Sequence, residues 1–187
     1  MGRLLTAERD RYDELFLSVD AYRDHSPGAG YARVFAEMTG APPGSLVVDA
    51  GCATGRGGLA LHELGYLVHL VDLTSTGLVD EARGLPFTEG ALQLGLPSCD
   101  YVFCTDVLEH LPPEWTMLAL ARMLEAARSR VFCSIALQPD AFGVWVGAPL
   151  HQTVMDYQWW RDHCRELATV VEARDLLGIG LYCLESR

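Results

Sequence analysis

The sequence predicts an α/β protein, a three-layer sandwich around a mostly parallel sheet of six to seven strands with an antiparallel last strand. Three observations lead there. From Ser45 onward, short β-branched apolar runs alternate with stretches of helical apolar spacing. The first run, SLVVDA, passes through a glycine-rich bend into a helix, the opening of a strand–helix–strand crossover. The chain has 187 residues, 50% of them hydrophobic. A chain of that size buries roughly 70% of its extended surface, enough to cover a sheet on both faces.

The elements follow in order. Tyr12, Leu15, Phe16 and Val19 recur at helical spacing and predict an amphipathic helix. AYRDHSPGAG reads as a turn-rich connector. Tyr31, Val34, Phe35 and Met38 predict a second helix, stopped by Gly40, Pro42 and Pro43. SLVVDA is the first strand, and a helix begun near Gly55 continues through Leu59–Leu64. YLVHLVD is the second strand, ending at Asp72; LPFTEG is a short third and DYVFCTD a fourth. Met117, Leu120, Ala121, Leu124 and Ala127 share one helical face. RVFCSIAL is a fifth strand, followed by a loop rich in glycine, proline and aromatics. Trp160, His163, Cys164 and Leu167 mark a further helix with Asp156 as its N-cap. ATVVEA and GLYCLE close the chain as strands.

Net charge is −11. A general electrostatic grip on nucleic acid needs a basic stripe, and the sequence has none, so a small molecule, sugar or protein is the better partner. No apolar run resembles a signal peptide or a membrane span, which predicts a cytoplasmic protein with no membrane partner. The six cysteines form no C-x-x-C pair and several sit inside apolar runs, so they read as small buried thiols rather than disulfides or zinc ligands.

The stretch VVDAGCATGRGGLAL carries the functional signal. Glycine weakens regular structure, yet four glycines cluster where the first strand meets its helix. Ligands of open α/β sheets bind at such loops, outside the carboxyl ends of the strands, and glycines let a ligand touch the main chain. A dinucleotide fingerprint needs G-x-G-x-x-G, but Ala53 stands where its middle glycine belongs. Asp49, at the strand end, suits a cation better than a pyrophosphate. Asp72, ending the second strand, is placed to accept the hydroxyls of a ribose. A ligand with a ribose, a positive charge and no phosphate fits both. Each carboxylate also has a plainer reading: Asp49 as a cap of the next helix, Asp72 as a cap of the turn at Thr74 and Ser75.

DAGCATG resembles the first motif, D-x-G-x-G-x-G, of the class I S-adenosylmethionine-dependent methyltransferases. HLVDL resembles their second-strand motif, and CDYVFCTDVLEHLPPEW their fourth-strand motif. The resemblance spans about Leu46–Ala136 and implies a Rossmann-like fold with S-adenosylmethionine as cofactor. It implies Asp49, Gly51, Cys52 and Gly55 at the methionine end, Asp72 on the ribose and Leu73 against the adenine. Glu89 to Ala91 match where the adenine edge is read, with Glu81 in EARGLPF as a rival, and Asp106 and Val107 lie beside the cofactor. On this reading residues 1–187 form one domain. Residues 1–40 are a helical cover, 45–136 the cofactor-binding core, and 137–187 a substrate loop with the C-terminal strands.

Methyl transfer asks the protein for orientation and a base. His110, in DVLEHLP, and His151, in APLHQT, are the candidate catalytic residues; Glu109 is a third group beside them. The alternatives are a helix-start histidine and a solvent-exposed loop histidine. Trp145, Trp159, Trp160 and Tyr157 are candidates for an aromatic pocket, with Trp160 the one best suited to core packing, and His25 could reach the same pocket. No recognisable ligand spacing supports a metal site. The D-P-P-Y type turn of DNA amino-methyltransferases is absent after the fourth strand, and no P-C pair exists. A small-molecule or sugar hydroxyl or amine is therefore the expected acceptor. A non-catalytic scaffold of the same fold, a nucleic-acid methyltransferase and a nicotinamide enzyme are the alternatives; oligomeric state is not legible.

Overall fold

The computed structural model describes residues 2–187. Three helices come first: α1 (Gly2–Ser18), α2 (Asp20–Asp24) and α3 (Gly28–Thr39). The predicted turn-rich connector is thus partly helical: α2 ends at Asp24, and Pro27 stands at the N-cap of α3. Gly40 ends α3 in the left-handed region at φ 65°, the conformation a glycine cap supplies at least cost.

The sheet and its crossovers follow: β1 (Leu46–Ala50), α4 (Arg56–Glu63), β2 (Leu67–Asp72), β3 (Phe87–Glu89), β4 (Cys99–Thr105), α5 (Pro113–Ala126), β5 (Ala127–Ala136), α6 (Tyr157–Leu167), β6 (Ala168–Asp175) and β7 (Ile179–Ser186). The seven strands lie in the order β3-β2-β1-β4-β5-β7-β6. All neighbours from β3 to β5 are parallel, while β7 runs antiparallel between β5 and β6. The predicted sheet and its antiparallel last strand are therefore both present. Asp156 caps α6 as expected, accepting from the Trp159 N–H at 2.8 Å; such a cap contributes about 1 kcal/mol.

Each face of the sheet has its own core. On one, Val48, Val102, Val131 and Ile135 pack under α5 and α6, with Met123, Trp160 and Cys164. On the other, Val47, Phe103 and Phe132 pack under α3 and α4, where Phe35 meets the rings of Tyr66, Tyr101, Phe103 and Phe132. All six cysteines are free and buried, as predicted. A smaller cluster of Leu15, Val19 and Leu150, joined by Tyr12, Tyr22, Phe142 and Val146, ties α1 and α2 to the 140–150 loop. That tie lays both segments across the carboxyl ends of the central strands. Among the described residues, no helix is long and apolar enough to cross a membrane.

Candidate active site

Strand order reverses at β1: β2 lies on one side and β4 on the other. The connections after β1 and β4 therefore leave in opposite directions and open a crevice between them. The glycine bend lines it. Gly51 and Cys52 donate to the Val71 carbonyl at 2.8 and 3.1 Å, turning the chain sharply away from the sheet. Gly51 sits at φ 77°, and a Cβ there would lie 2.4 Å from a Val107 methyl carbon. Only glycine satisfies both demands. Ala53, which replaces the expected central glycine, also adopts the left-handed region, at φ 48°. Its N–H donates to Asp72 Oδ2 at 2.8 Å, which holds the strained residue in place.

Two adjoining chambers, both partly open to solvent, lie in the crevice. They share Phe16, Tyr22, Gly51, Ala53, Asp106 and His110. The first chamber runs past Asp72, Leu73 and the segment Gly90–Gln93, under Tyr12 and Leu5 of α1. The second runs past Asp49 and Cys52 toward His25, Asp140, Phe142 and His151.

The carboxylates lining them are poorly solvated. Asp49 is 2% exposed, and its Oδ2 has no hydrogen-bond partner. Burial pushes its carboxyl up to about 7, the Asp72 charge adds to the rise, and the Gly58 N–H opposes it. Burial likewise lifts Asp72 to about 6, against the N–H groups of Ala53, Leu73 and Thr74. Those N–H groups meet Asp72 in part, whereas Asp49 Oδ2 is left unpartnered, which is costly unless something cationic or hydrogen-donating meets it.

Glu109 is wholly buried on the 3₁₀ turn Leu108–His110. Its Oε1 accepts from the Ala136 N–H at 2.7 Å, and its carbonyl accepts from Gln152 and Thr153 at 2.8 and 2.9 Å. It thus clasps the end of β5 and the 150–153 loop to the end of β4. Burial, then the Asp106 charge, push its carboxyl well above the ordinary range. Glu109 Oε2 and Asp106 Oδ1 are buried without a hydrogen-bond partner, and burial raises the Asp106 carboxyl as well. Asp106 itself sits at φ 51°.

The two predicted histidines meet edge to face, with ring centroids 4.7 Å apart. His110 Nδ1 lies 2.8 Å from the Tyr12 hydroxyl. Burial holds the Tyr12 phenol protonated, and a phenol both donates and accepts, so it pairs with either ring tautomer of His110. Burial also presses the His110 pKa down to about 3, aided by His151, so the ring is neutral. His151 holds a defined tautomer. Its Nδ1 faces the Gln138 carbonyl at 2.6 Å, and a carbonyl only accepts, so Nδ1 carries the proton and Nε2 offers a lone pair. Glu109, His110 and His151 also bring one ligand atom each within 4.8 Å of one another, the grouping that would hold a cation if one bound. His151 stands 41 residues from His110 and 42 from Glu109 in the chain, so no local spacing signals the group.

Most of the expected positions converge. Asp49, Gly51 and Cys52 line the second chamber, Asp72, Leu73 and Val107 the first, and Asp106 and His110 both. Two do not. Glu89 points outward, its side chain 53% exposed and 3.5 Å from Arg9; the rival Glu81 is also exposed. Buried Gln93, three residues beyond Ala91's predecessor Gly90, lines that end of the chamber instead. Gly55 caps α4 and makes room for Ala82, which would lie 2.5 Å from a Cβ there, but it lies off both chambers.

The aromatic pocket is real but built from other residues. Trp145 is 65% exposed, Trp160 is core, Trp159 stacks on His163, and Tyr157 stacks on Tyr182. Tyr12, Phe16, Tyr22, Trp115 and Phe142 line the chambers in their place. Tyr12 and Phe16 were legible only as an apolar helical stripe, and nothing in the sequence says that stripe faces a cavity. His25 does reach the pocket, its ring 5.7 Å from that of Phe142.

Comparison with known proteins agrees with this geometry. No family model matches the chain. A magnesium-protoporphyrin O-methyltransferase of Synechocystis is 33% identical over 116 residues, 56% of this chain and 49% of that protein. The chain therefore matches about half the length of that curated relative. A Burkholderia thailandensis 1,6-didemethyltoxoflavin N1-methyltransferase, crystallised with its acceptor and S-adenosylhomocysteine, superimposes with a TM-score of 0.76. It is 18% identical and the match covers 97% of this chain and 88% of that one. The Synechocystis magnesium-protoporphyrin IX methyltransferase with bound S-adenosylmethionine gives 0.70 at 20% identity, covering 97% of each chain. The chain has the fold of the class I S-adenosylmethionine-dependent methyltransferases. The crevice gathers Asp49, Gly51 and Cys52 of DAGCATG, Asp72 and Leu73 of HLVDL, and Asp106, Val107 and His110 of DVLEHL.

Proposed function

We propose that the protein is an S-adenosylmethionine-dependent methyltransferase acting on a small molecule. The observation that carries this is Asp49: a buried carboxylate with an orphaned oxygen, in a chamber continuous with one lined by a second costly carboxylate, Asp72. A cationic nucleoside satisfies both, whereas a diphosphate satisfies neither. The names of the similar proteins support a small acceptor, since one of them carries 1,6-didemethyltoxoflavin.

In this reading Asp72 accepts the two ribose hydroxyls, Leu73 packs against the base and Gln93 borders its edge. Asp49 meets the cationic amino-acid end, and the bare Gly51 lets that end touch the main chain. Bound there, S-adenosylmethionine supplies an electrophilic methyl group. The rest is the protein's own work. The shared wall of Asp106 and His110 fixes where the two chambers meet, and α1 with the 138–152 loop borders that junction. His151 Nε2 is the base, because its lone pair is free while His110 resists protonation.

Calorimetry with S-adenosylhomocysteine, S-adenosylmethionine and NAD tests the assignment. Binding of the first two and no binding of NAD is the expected result. NAD binding alone would overturn it.

A further inference from the structure

We propose that Glu109, His110 and His151 form a binding site for a divalent transition-metal ion at the junction of the two chambers. Three features of the junction lead there.

The first is the grouping. Each of the three residues offers a ligand atom, and these atoms lie within 4.8 Å of one another. Nitrogen and oxygen ligands stand about 2.1 Å from such an ion, hence roughly 3.4 Å apart around a tetrahedron, so closing on an ion takes a side-chain adjustment on the order of 1 Å. The turn Leu108–His110 supplies two of the ligands, and the loop after β5 brings the third.

The second is an unanswered oxygen. Glu109 is wholly buried; the Ala136 N–H occupies its Oε1, while Oε2 has no partner. The buried Oδ1 of Asp106 has none either. An orphaned carboxylate oxygen is costly in such a place, and a cation removes the cost. Asp106 acts on Glu109 and Asp140 on His110, both negative. Arg11 opposes them but is paired with Glu8, and His25 opposes them only when protonated.

The third is how the ligands are held. A metal-binding imidazole gives its other N–H to a carbonyl or similar acceptor, which aims the free nitrogen at the ion. His151 does this, with Nδ1 donating to the Gln138 carbonyl at 2.6 Å and Nε2 left free. The Tyr12 hydroxyl, 2.8 Å from His110 Nδ1, can accept in the same way and leave that ring's Nε2 to an ion. Two imidazoles with one carboxylate suit Zn²⁺ or Co²⁺ better than Mg²⁺ or Ca²⁺, which seek oxygen ligands. An ion here also holds His151 Nε2, the atom given above to the acceptor's proton, so the loaded site is not the form that transfers. That consequence alone rests on the methyl-transfer reading.

The test titrates Co²⁺ into the untagged full chain and follows its visible absorption, with Zn²⁺ as competitor. The expected result is the visible bands of low-coordinate Co²⁺ with nitrogen ligands, no near-ultraviolet thiolate-to-cobalt band, and loss of the spectrum on adding Zn²⁺. His151→Ala and Glu109→Gln should each weaken Co²⁺ by about tenfold or more, while melting like the parent chain in the absence of the ion. His163→Ala, on α6 and stacked on Trp159, should bind Co²⁺ as the parent does. Absence of the bands with Co²⁺ in large excess, a thiolate band, or unchanged affinity in both ligand variants overturns the site. Failure of S-adenosylhomocysteine to bind would instead overturn the methyltransferase reading and leave the cobalt spectrum as it is.

Discussion

Asp49→Asn separates a ligand-binding carboxylate from a helix cap, because the two roles give opposite signs. Burial raises the folded pKa of Asp49 from 3.8 to about 7. An acid shifted this way weakens the fold progressively as pH climbs between those values, since the unfolded chain releases its proton first. About three pKa units amount to roughly 4 kcal/mol of penalty above pH 7. The amide removes the charge but still needs partners of its own, so the recoverable part is about 2 kcal/mol. For a domain of this size that is a rise in Tm of roughly 4–8 °C at pH 8, shrinking at pH 5, where wild-type Asp49 is already protonated. The same substitution should cost ~1.5–3 kcal/mol of S-adenosylhomocysteine affinity through lost charge-assisted hydrogen bonds. Thermal melts at both pH values, with calorimetry, read the two effects on one protein. A variant that melts lower at pH 8 and binds normally would show that Asp49 merely caps α4, and the argument from its orphaned oxygen would be refuted.

Asp72→Ala should weaken S-adenosylhomocysteine by ~1.5–3 kcal/mol; unchanged affinity by calorimetry would place the ribose elsewhere. Ala53→Gly relieves a left-handed alanine and should stabilise the protein by up to ~1 kcal/mol, read as a higher urea midpoint with no change in m-value. Glu109→Gln keeps the oxygen acceptor that the Ala136 N–H requires and should fold normally, whereas Glu109→Ala leaves the Ala136 N–H unpaired and should cost about 2–4 kcal/mol; circular-dichroism melts separate them. Turnover should survive exhaustive chelation, since the reaction drawn from these residues needs only a proton acceptor; loss of activity restored by a divalent ion would assign Glu109, His110 and His151 to a metal.

What the sequence decided by itself was whatever depends on neighbours in the chain. Strand and helix periods are local, so six of the seven strands and the five longer helices of the core and cover stand where the sequence pattern puts them. The short β3 was legible only as a turn-bounded fragment. The glycine bend is local too: Gly51 and the strand-end carboxylates Asp49 and Asp72 could be read directly, because a bend between a strand and its crossover helix has few other uses. Tertiary structure alone decided the rest. The second chamber is assembled from α1, α2 and the 138–152 loop, segments more than a hundred residues apart, and no pattern along the chain records that Phe16, Tyr22 and Phe142 face one another. The same holds for which histidine is the base. His110 and His151 are alike as letters; they differ because His110 is buried against the Tyr12 hydroxyl, whereas His151 donates its Nδ1–H to the Gln138 carbonyl. Hydrogen bonds across such distances exist only once the chain has folded, and they set the chemistry of the site.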